Sequence, residues 1–150
     1  MLRDFRPGDQ VAVRTLILAG LEERWGVLDP RHNADLDDIA ATYGHGRTVV
    51  VEHAGRIVAT GTVVPRGDGD AEIVRMSVAT DRRREGLGER IVDALTATAW
   101  AWGCRRVVLE TTSTWTDAIA FYRRCGFVIT HEADGDFGRD TWFAMEMPSR

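Results

Sequence analysis

One uninterrupted stretch constrains this chain more than any other. A β-branched run from Ala71 to Val78 leads into Arg82-Arg83-Arg84-Glu85-Gly86-Leu87-Gly88, and that turn opens an apolar stripe of Leu87, Ile91, Leu95, Ala99 and Trp102, which stops at Gly103. The i, i+4 spacing of the stripe predicts a four-turn amphipathic helix. A strand fed through a glycine turn into a helix is an α/β unit, and the helix must bury its stripe on a sheet. Glycines at such a junction turn the backbone tightly and leave amide N–H groups pointing outward at the positive end of the helix dipole, a seat suited to a pyrophosphate. The three arginines add fork-shaped donors beside it. For the glycines alone, the competing reading is an ordinary turn with solvated arginines. Inside the strand, Glu72 and Arg75 are two ionisable groups that need partners or a role.

The rest of the chain places this unit in a larger sheet. Leu2 to Arg6 alternates as a short strand, Pro7-Gly8-Asp9 breaks it, and Asp9 is expected to cap a helix whose buried face is Val13, Leu16, Ile17 and Leu21. Asn33 or Asp35 is expected to cap a second, short helix that runs through Ile39 to Tyr43, with Asp37 and Asp38 at the favourable end of its dipole and Gly44 and Gly46 stopping it. Thr48 to Glu52 and Ile57 to Val64 form a predicted hairpin around His53-Ala54-Gly55-Arg56, followed by a polar loop from Pro65 to Asp70. Arg106 to Thr111 reads as a strand. Thr114-x-x-Asp117 matches a capping box opening a helix through Arg124, closed by Gly126. Phe127 to Thr130 and Thr141 to Met147 read as two final antiparallel strands joined by the acidic stretch Glu132 to Asp140. The order β-α-α-β-β-β-α-β-α-β-β predicts a mixed α/β sheet, and 150 residues suit one domain, 1–150.

Composition narrows the chemistry. All 19 basic residues are arginine, so a Walker lysine, a Schiff base and a lysine base are excluded. A net charge of -4 argues against broad nucleic-acid binding. Cys104 and Cys125 lack metal or disulfide-framework spacing and read as free packing thiols, and His32, His45, His53 and His131 are scattered, so no metal is expected. No apolar run spans a bilayer and the amino terminus shows no signal core, so no membrane contact and a cytoplasmic location are expected. A dinucleotide fingerprint fails because Ile91 stands where its third glycine belongs and the segment begins near residue 80.

What the segment resembles is motif A of the GNAT acetyltransferase superfamily, carried here by Arg83, Gly86 and Gly88. The likeness continues through the strand Ala71–Val78, the strand Val107-Val108-Leu109-Glu110-Thr111, Ala118-Ile119-Ala120-Phe121-Tyr122 and Cys125-Gly126-Phe127, covering residues 71 to 127 well and the earlier elements loosely. It implies a mostly antiparallel central sheet of about seven strands flanked by about four helices, and acetyl-CoA as acyl donor. It also implies that the pantetheine arm adds like a strand along Met76, Ser77 and Val78, with an amide near Met76 facing the thioester oxygen. The amides of Arg84, Glu85, Gly86, Leu87, Gly88 and Glu89 would receive the pyrophosphate, with Arg83 or Arg84 adding charge. Where relatives often carry an asparagine that contacts the cofactor, this chain has Trp115.

The resemblance also implies catalytic roles. Glu72 matches a glutamate that serves as base, and the competing reading is an ion pair to an arginine such as Arg75; Glu110 is a second carboxylate to weigh. Tyr122 matches a tyrosine that protonates the leaving thiolate, against a plain packing role. The expected activity is N-acetylation of a primary amine, first of a small molecule, with protein amino termini or lysines and a non-catalytic acyl-CoA-binding module as alternatives. A DNA-associated regulator is the least favoured class. The acceptor is expected near Glu22-Glu23-Arg24-Trp25 and Asp35 to Asp38, although those carboxylates read equally as solvated surface or caps. Trp142 and Phe143 on the last strand read as exposed aromatics that mark the edge of a homodimer.

Overall fold

The structure, a computed structural model, describes residues 1–28 and 30–148. Its strands are β1 (Leu2–Asp4), β2 (Arg47–His53), β3 (Arg56–Pro65), β4 (Asp70–Val78), β5 (Arg106–Thr112), β6 (Val128–Gly135) and β7 (Gly138–Glu146). Four helices accompany them: α1 (Gln10–Trp25), α2 (Ile39–Tyr43), α3 (Leu87–Ala101) and α4 (Thr116–Arg124). The seven strands form one mixed sheet in the order β1-β2-β3-β4-β5-β7-β6, antiparallel except where β4 meets β5. The expected architecture is therefore the observed one. No helix among the described residues is long and apolar enough to cross a membrane.

Strand alternation sorts the core into two layers. On β2, Val49 and Val51 pack with Ile91, Leu95 and Phe143 on the α3 face, while Val50 turns to Val13, Ile17, Leu36 and Ile39 on the α1 face. Each such side chain contributes about 1.5–3 kcal/mol of burial. The predicted turn of the β2–β3 hairpin is present, with Ala54 at φ 52° and Gly55 at φ 79°, the left-handed pair that a two-residue hairpin turn requires. On β3, a Cβ at Gly61 would stand 2.6 Å from Ile91 Cγ2 and from Met76 Sδ, so glycine there lets α3 and β4 close on the sheet.

Several local expectations are corrected. Asp9 stands at the start of α1 but does not cap that helix with its side chain, because its carboxylate turns back to Arg3 and to the Arg6 amide, where it caps the short 3-10 turn Pro7–Asp9 instead. Asp38 caps α2 by accepting from the Ala41 amide at 3.1 Å, since a 3-10 stretch from Pro30 to Asp38 carries Asn33 and Asp35 upstream of the helix start. The capping box at Thr114 does not form: α4 begins after Trp115 with no side-chain cap, and Asp117 is engaged by Arg24 instead. The last two strands extend through the acidic stretch, leaving only Asp136 and Phe137 as the connection. Phe143 is fully buried and β7 lies between β5 and β6, so the proposed dimer edge at Trp142 and Phe143 does not exist there.

Candidate active site

The site begins where β4 leaves β5. The two strands pair only at Asp70, Ala71 and Glu72, against Arg106, Val107 and Val108. Beyond that, β4 carries an irregularity: Thr60 pairs with Ser77 and Thr62 with Val74, so Gly61 faces both Arg75 and Met76, and Arg75 takes φ 56°. A bulge of this kind bends the strand and ends its pairing on one side. The Arg75 side chain, turned out by the bulge, donates to Asp35 through Nε at 2.9 Å and Nη2 at 2.6 Å, and Tyr43 donates to the same carboxylate at 2.5 Å. Burial raises the Asp35 pKa, but these donors outweigh it and the net direction is down. Burial and the Asp35 carboxylate push Tyr43 up to about 12.

The splayed strands open a cleft of about 760 Å³ lined on one side by Ile73 to Val78. Because the Ala79 amide donates to Val58 O, strand alternation turns the Val78 and Met76 amides toward the open side. The cleft continues to Arg82, Arg83, Arg84, Gly86, Leu87, Gly88 and Glu89. Gly86 adopts φ 79°, ψ 8° as the residue before α3, and space around its missing Cβ is open. Gly88 has a different reason: a Cβ there would stand 2.9 Å from Phe121 Cζ, so this glycine sets the approach of α4. The three arginines are not equivalent. Arg82 pairs with Glu85 and Arg83 with Glu23, whereas Arg84, at φ 67°, has no side-chain partner among the described residues.

The two residues expected to act in catalysis sit in different surroundings. Glu72 is 6% exposed and lies on the sheet face turned toward α1. Its pairing partner is Arg66, with Nη2 2.6 Å from Oε1, and Arg75 is not available to it. The contact lacks hydrogen-bond geometry, leaving Oε1 the buried side-chain polar atom without a hydrogen bond among the described residues. Burial raises the Glu72 pKa and Arg66 only partly opposes it. Glu72 does not itself line the cleft; Glu110 does, and its pKa is also raised, by burial first and then by Asp140 and Glu72. Tyr122 lines the cleft from α4 with its ring held edge-on by Phe121 and Phe127 and tilted against Phe143. Its hydroxyl has no hydrogen-bond partner among the described residues, and burial raises its pKa, so it stays protonated.

Sequence reasoning missed two connections across this cleft. Arg24 at the end of α1 donates to both carboxylate oxygens of Asp117 at 3.0 and 2.8 Å and lies 4.4 Å from the centre of the Trp115 ring. Glu23 accepts from Arg83 and from Thr80. The acidic residues expected to draw an acceptor are thus largely engaged: Glu23 with Arg83, Asp35 with Arg75, Asp37 with Arg14, and Asp38 in its cap. The residues that point to these pairs lie far apart in sequence, and no local signal marks them. Among the described residues no cluster of His, Cys, Asp and Glu is arranged to hold a metal.

The bulge frees one edge of β4 and directs it to a glycine turn at a helix start, a geometry that suits an extended ligand with an anionic group. The family model described as "Acetyltransferase (GNAT) family" matches residues 12–127, and the chain belongs to this family. Among solved structures it is similar to a GNAT acetyltransferase from Staphylococcus aureus Mu50, with a TM-score of 0.87, 16% identity, and coverage of 97% of this chain and 98% of that one. It is similar to an aminoglycoside 6'-N-acetyltransferase complexed with coenzyme A (TM-score 0.80, 16% identity, 100% and 98% coverage). A GNAT acetyltransferase from Elizabethkingia anophelis with acetyl-CoA bound is also similar (TM-score 0.66, 18% identity, 73% and 82% coverage). At these identities the likeness is one of fold. No curated protein sequence matches the chain.

Proposed function

We propose that this protein is an acetyl-CoA-dependent N-acetyltransferase that moves the acetyl group directly to a primary amine of a small molecule. The observation that carries the reading is the free edge of β4 from Ile73 to Val78, running unpaired toward the left-handed Gly86 at the start of α3. Acetyl-CoA supplies an activated acyl group on a thioester. In this reading the amides of Met76 and Val78, with the backbone at Ser77, hold the pantetheine arm as a strand partner, and the Met76 amide stabilises charge developing on the thioester oxygen. The amides from Arg84 to Glu89 receive the pyrophosphate at the helix dipole, where Arg84 has no side-chain partner among the described residues and Arg83 must first give up Glu23. Open space around Gly86 is consistent with that use.

An ammonium acceptor must lose a proton before it attacks. Glu72 is the base in this proposal, acting through a water because it does not line the cleft, with burial moving its pKa toward the working range. Tyr122 donates a proton to the leaving thiolate from a hydroxyl that no group among the described residues engages. A small acceptor is in keeping with the aminoglycoside acetyltransferase among the similar structures. The test is a thiol-release assay with acetyl-CoA over a panel of small amines and peptides, run beside calorimetry of CoA binding. Turnover with small amines is expected. Turnover confined to peptides would replace the acceptor class, and CoA binding without turnover on any amine would make the protein a binding module.

A further inference from the structure

Glycine apart, three described residues have a positive φ, and two of them, Ala54 and Arg84, lie in turns. The third, Arg75 at φ 56°, stands inside β4. Left-handed backbone crowds the Cβ of an L residue against the following carbonyl, so it persists in a strand only where the surroundings fix it. Arginine lacks the short polar side chain by which Asn and Asp steady this conformation locally. The fixing comes from elsewhere. Asp35, 40 residues away in the chain, accepts from Arg75 Nε at 2.9 Å and Nη2 at 2.6 Å, a two-point contact that sets orientation as well as distance. The two side chains are only 21% and 23% exposed, so water screens the pair little. Tyr43 on α2 holds Asp35 from its other side, donating at 2.5 Å from a hydroxyl whose raised pKa keeps it protonated.

The bulge decides which way β4 presents its amides. Before it, Ile73 belongs to the α3 core, so Glu72 beside it faces α1. Beyond it the order is reversed: Met76 packs against the α3 core, and Ser77 Oγ donates to Leu16 O on α1 at 3.4 Å. One inserted residue moves the alternation by one position, and this is why the Met76 and Val78 amides face the open edge while the Ala79 amide donates to Val58 O. If the bulge slid along the strand past Met76, the Met76 amide would turn to β3 and be lost to the cleft.

We propose that Asp35 is a positioning residue: by holding Arg75 left-handed it pins the bulge in place and keeps the Met76 and Val78 amides aimed into the cleft. The inference rests on the acetyltransferase reading for what the Met76 amide does there, not for where it points. Tyr43 completes the device by fixing the carboxylate that does the holding.

Arg75→Ala and Arg75→Gly both delete the guanidinium, but only glycine adopts a positive φ without steric cost, so the pair separates backbone from side chain. With acetyl-CoA and an amine that the unmodified chain turns over, Arg75→Ala is expected to lower kcat about 10- to 100-fold, short of losing a whole oxyanion-hole donor. CoA affinity, read by calorimetry, should fall less, because the glycine turn before α3 is untouched. Arg75→Gly should recover most of the lost kcat. Asp35→Asn should lower kcat in the same direction by less, and adding it to Arg75→Gly should cost nothing further, since glycine needs no anchor. Hydrogen exchange of the β4 amides in the full chain, with and without CoA, reads the geometry independently of turnover. CoA should protect Met76 and Val78 in the unmodified chain and in Arg75→Gly, and protect them less in Arg75→Ala. Equal impairment of the two Arg75 variants, or an Asp35→Asn variant that melts earlier with kcat and β4 protection unchanged, overturns the proposal. Protection that follows this pattern without thiol release on any amine removes the acetyltransferase reading alone. Turnover in which the two Arg75 variants behave alike removes this inference alone, and absence of β4 protection by CoA in the unmodified chain removes both.

Discussion

Glu72 couples chemistry to stability at the residue scale. Its folded pKa lies above the ordinary 4.5 because burial penalises the charged form. Below 4.5 the carboxyl is protonated in both folded and unfolded chains and costs nothing. As pH rises, the unfolded chain gives up its proton first, so the fold loses stability until the folded pKa is passed. Glu72→Gln is therefore expected to raise the melting temperature at pH 7, with the gain fading toward pH 4, while the rate falls and recovers only near the amine's own pKa. A lower melting temperature at pH 7 would mean that the Arg66 pair outweighs desolvation. Tyr122→Phe removes one hydroxyl, without a partner among the described residues, from a ring that Phe121, Phe127 and Phe143 hold in place. Its kcat is expected to drop about 10- to 1,000-fold with little change in melting temperature or CoA affinity, and the drop should shrink for a thioester with a more acidic thiol. Turnover equal to wild type would reduce Tyr122 to packing.

At the scale of elements, β4 is the piece on which everything converges. Its first three residues bond to β5, its bulge at Arg75 turns a guanidinium to Asp35, and its remaining edge is left free. The bulge depends on close approach of β3 and α3, which Gly61 permits. Gly61→Val would insert atoms where Ile91 and Met76 already sit 2.6 Å from a built Cβ. The expected cost is about 1–3 kcal/mol of unfolding free energy, typical of overpacking. The same variant should weaken CoA binding, because Met76 moves with the strand. Denaturant unfolding and calorimetry on one preparation would show both effects, and a stability loss with unchanged CoA affinity would separate the bulge from the cofactor edge.

Across the whole molecule, the end of α1 is tied to both walls of the cleft, by Glu23 to Arg83 beside the glycine turn and by Arg24 to Asp117 on α4. The first tie competes with an anionic ligand for Arg83. Glu23→Gln should therefore tighten CoA binding by about 2- to 5-fold, the span of a partly exposed ion pair, with the gain shrinking at high salt. Weaker binding in this variant would show that Glu23 orients Arg83 for the phosphates and does not withhold it.

The order of the elements, the hairpin turn at Ala54-Gly55 and the glycine turn before α3 were all legible from the chain alone, because each is set by residues within a few positions of one another. The caps were less legible: Asp9, Thr114 and Asp117 have the right chemistry at the right places, yet Arg3 and Arg24 draw Asp9 and Asp117 away with charged donors that a backbone amide cannot match. What only the tertiary structure decided is who meets whom across the sheet. Glu72 and Arg75 are three apart on one strand, and their partners, Arg66 and Asp35, were settled by a bulge that reverses which way Arg75 points. The grouping of Glu72, Glu110 and Asp140 likewise follows from the register of three strands, and the burial of Phe143 from β7 inserting between β5 and β6. Periodicity tells each residue its face; register and topology, fixed by packing between distant segments, choose its neighbours.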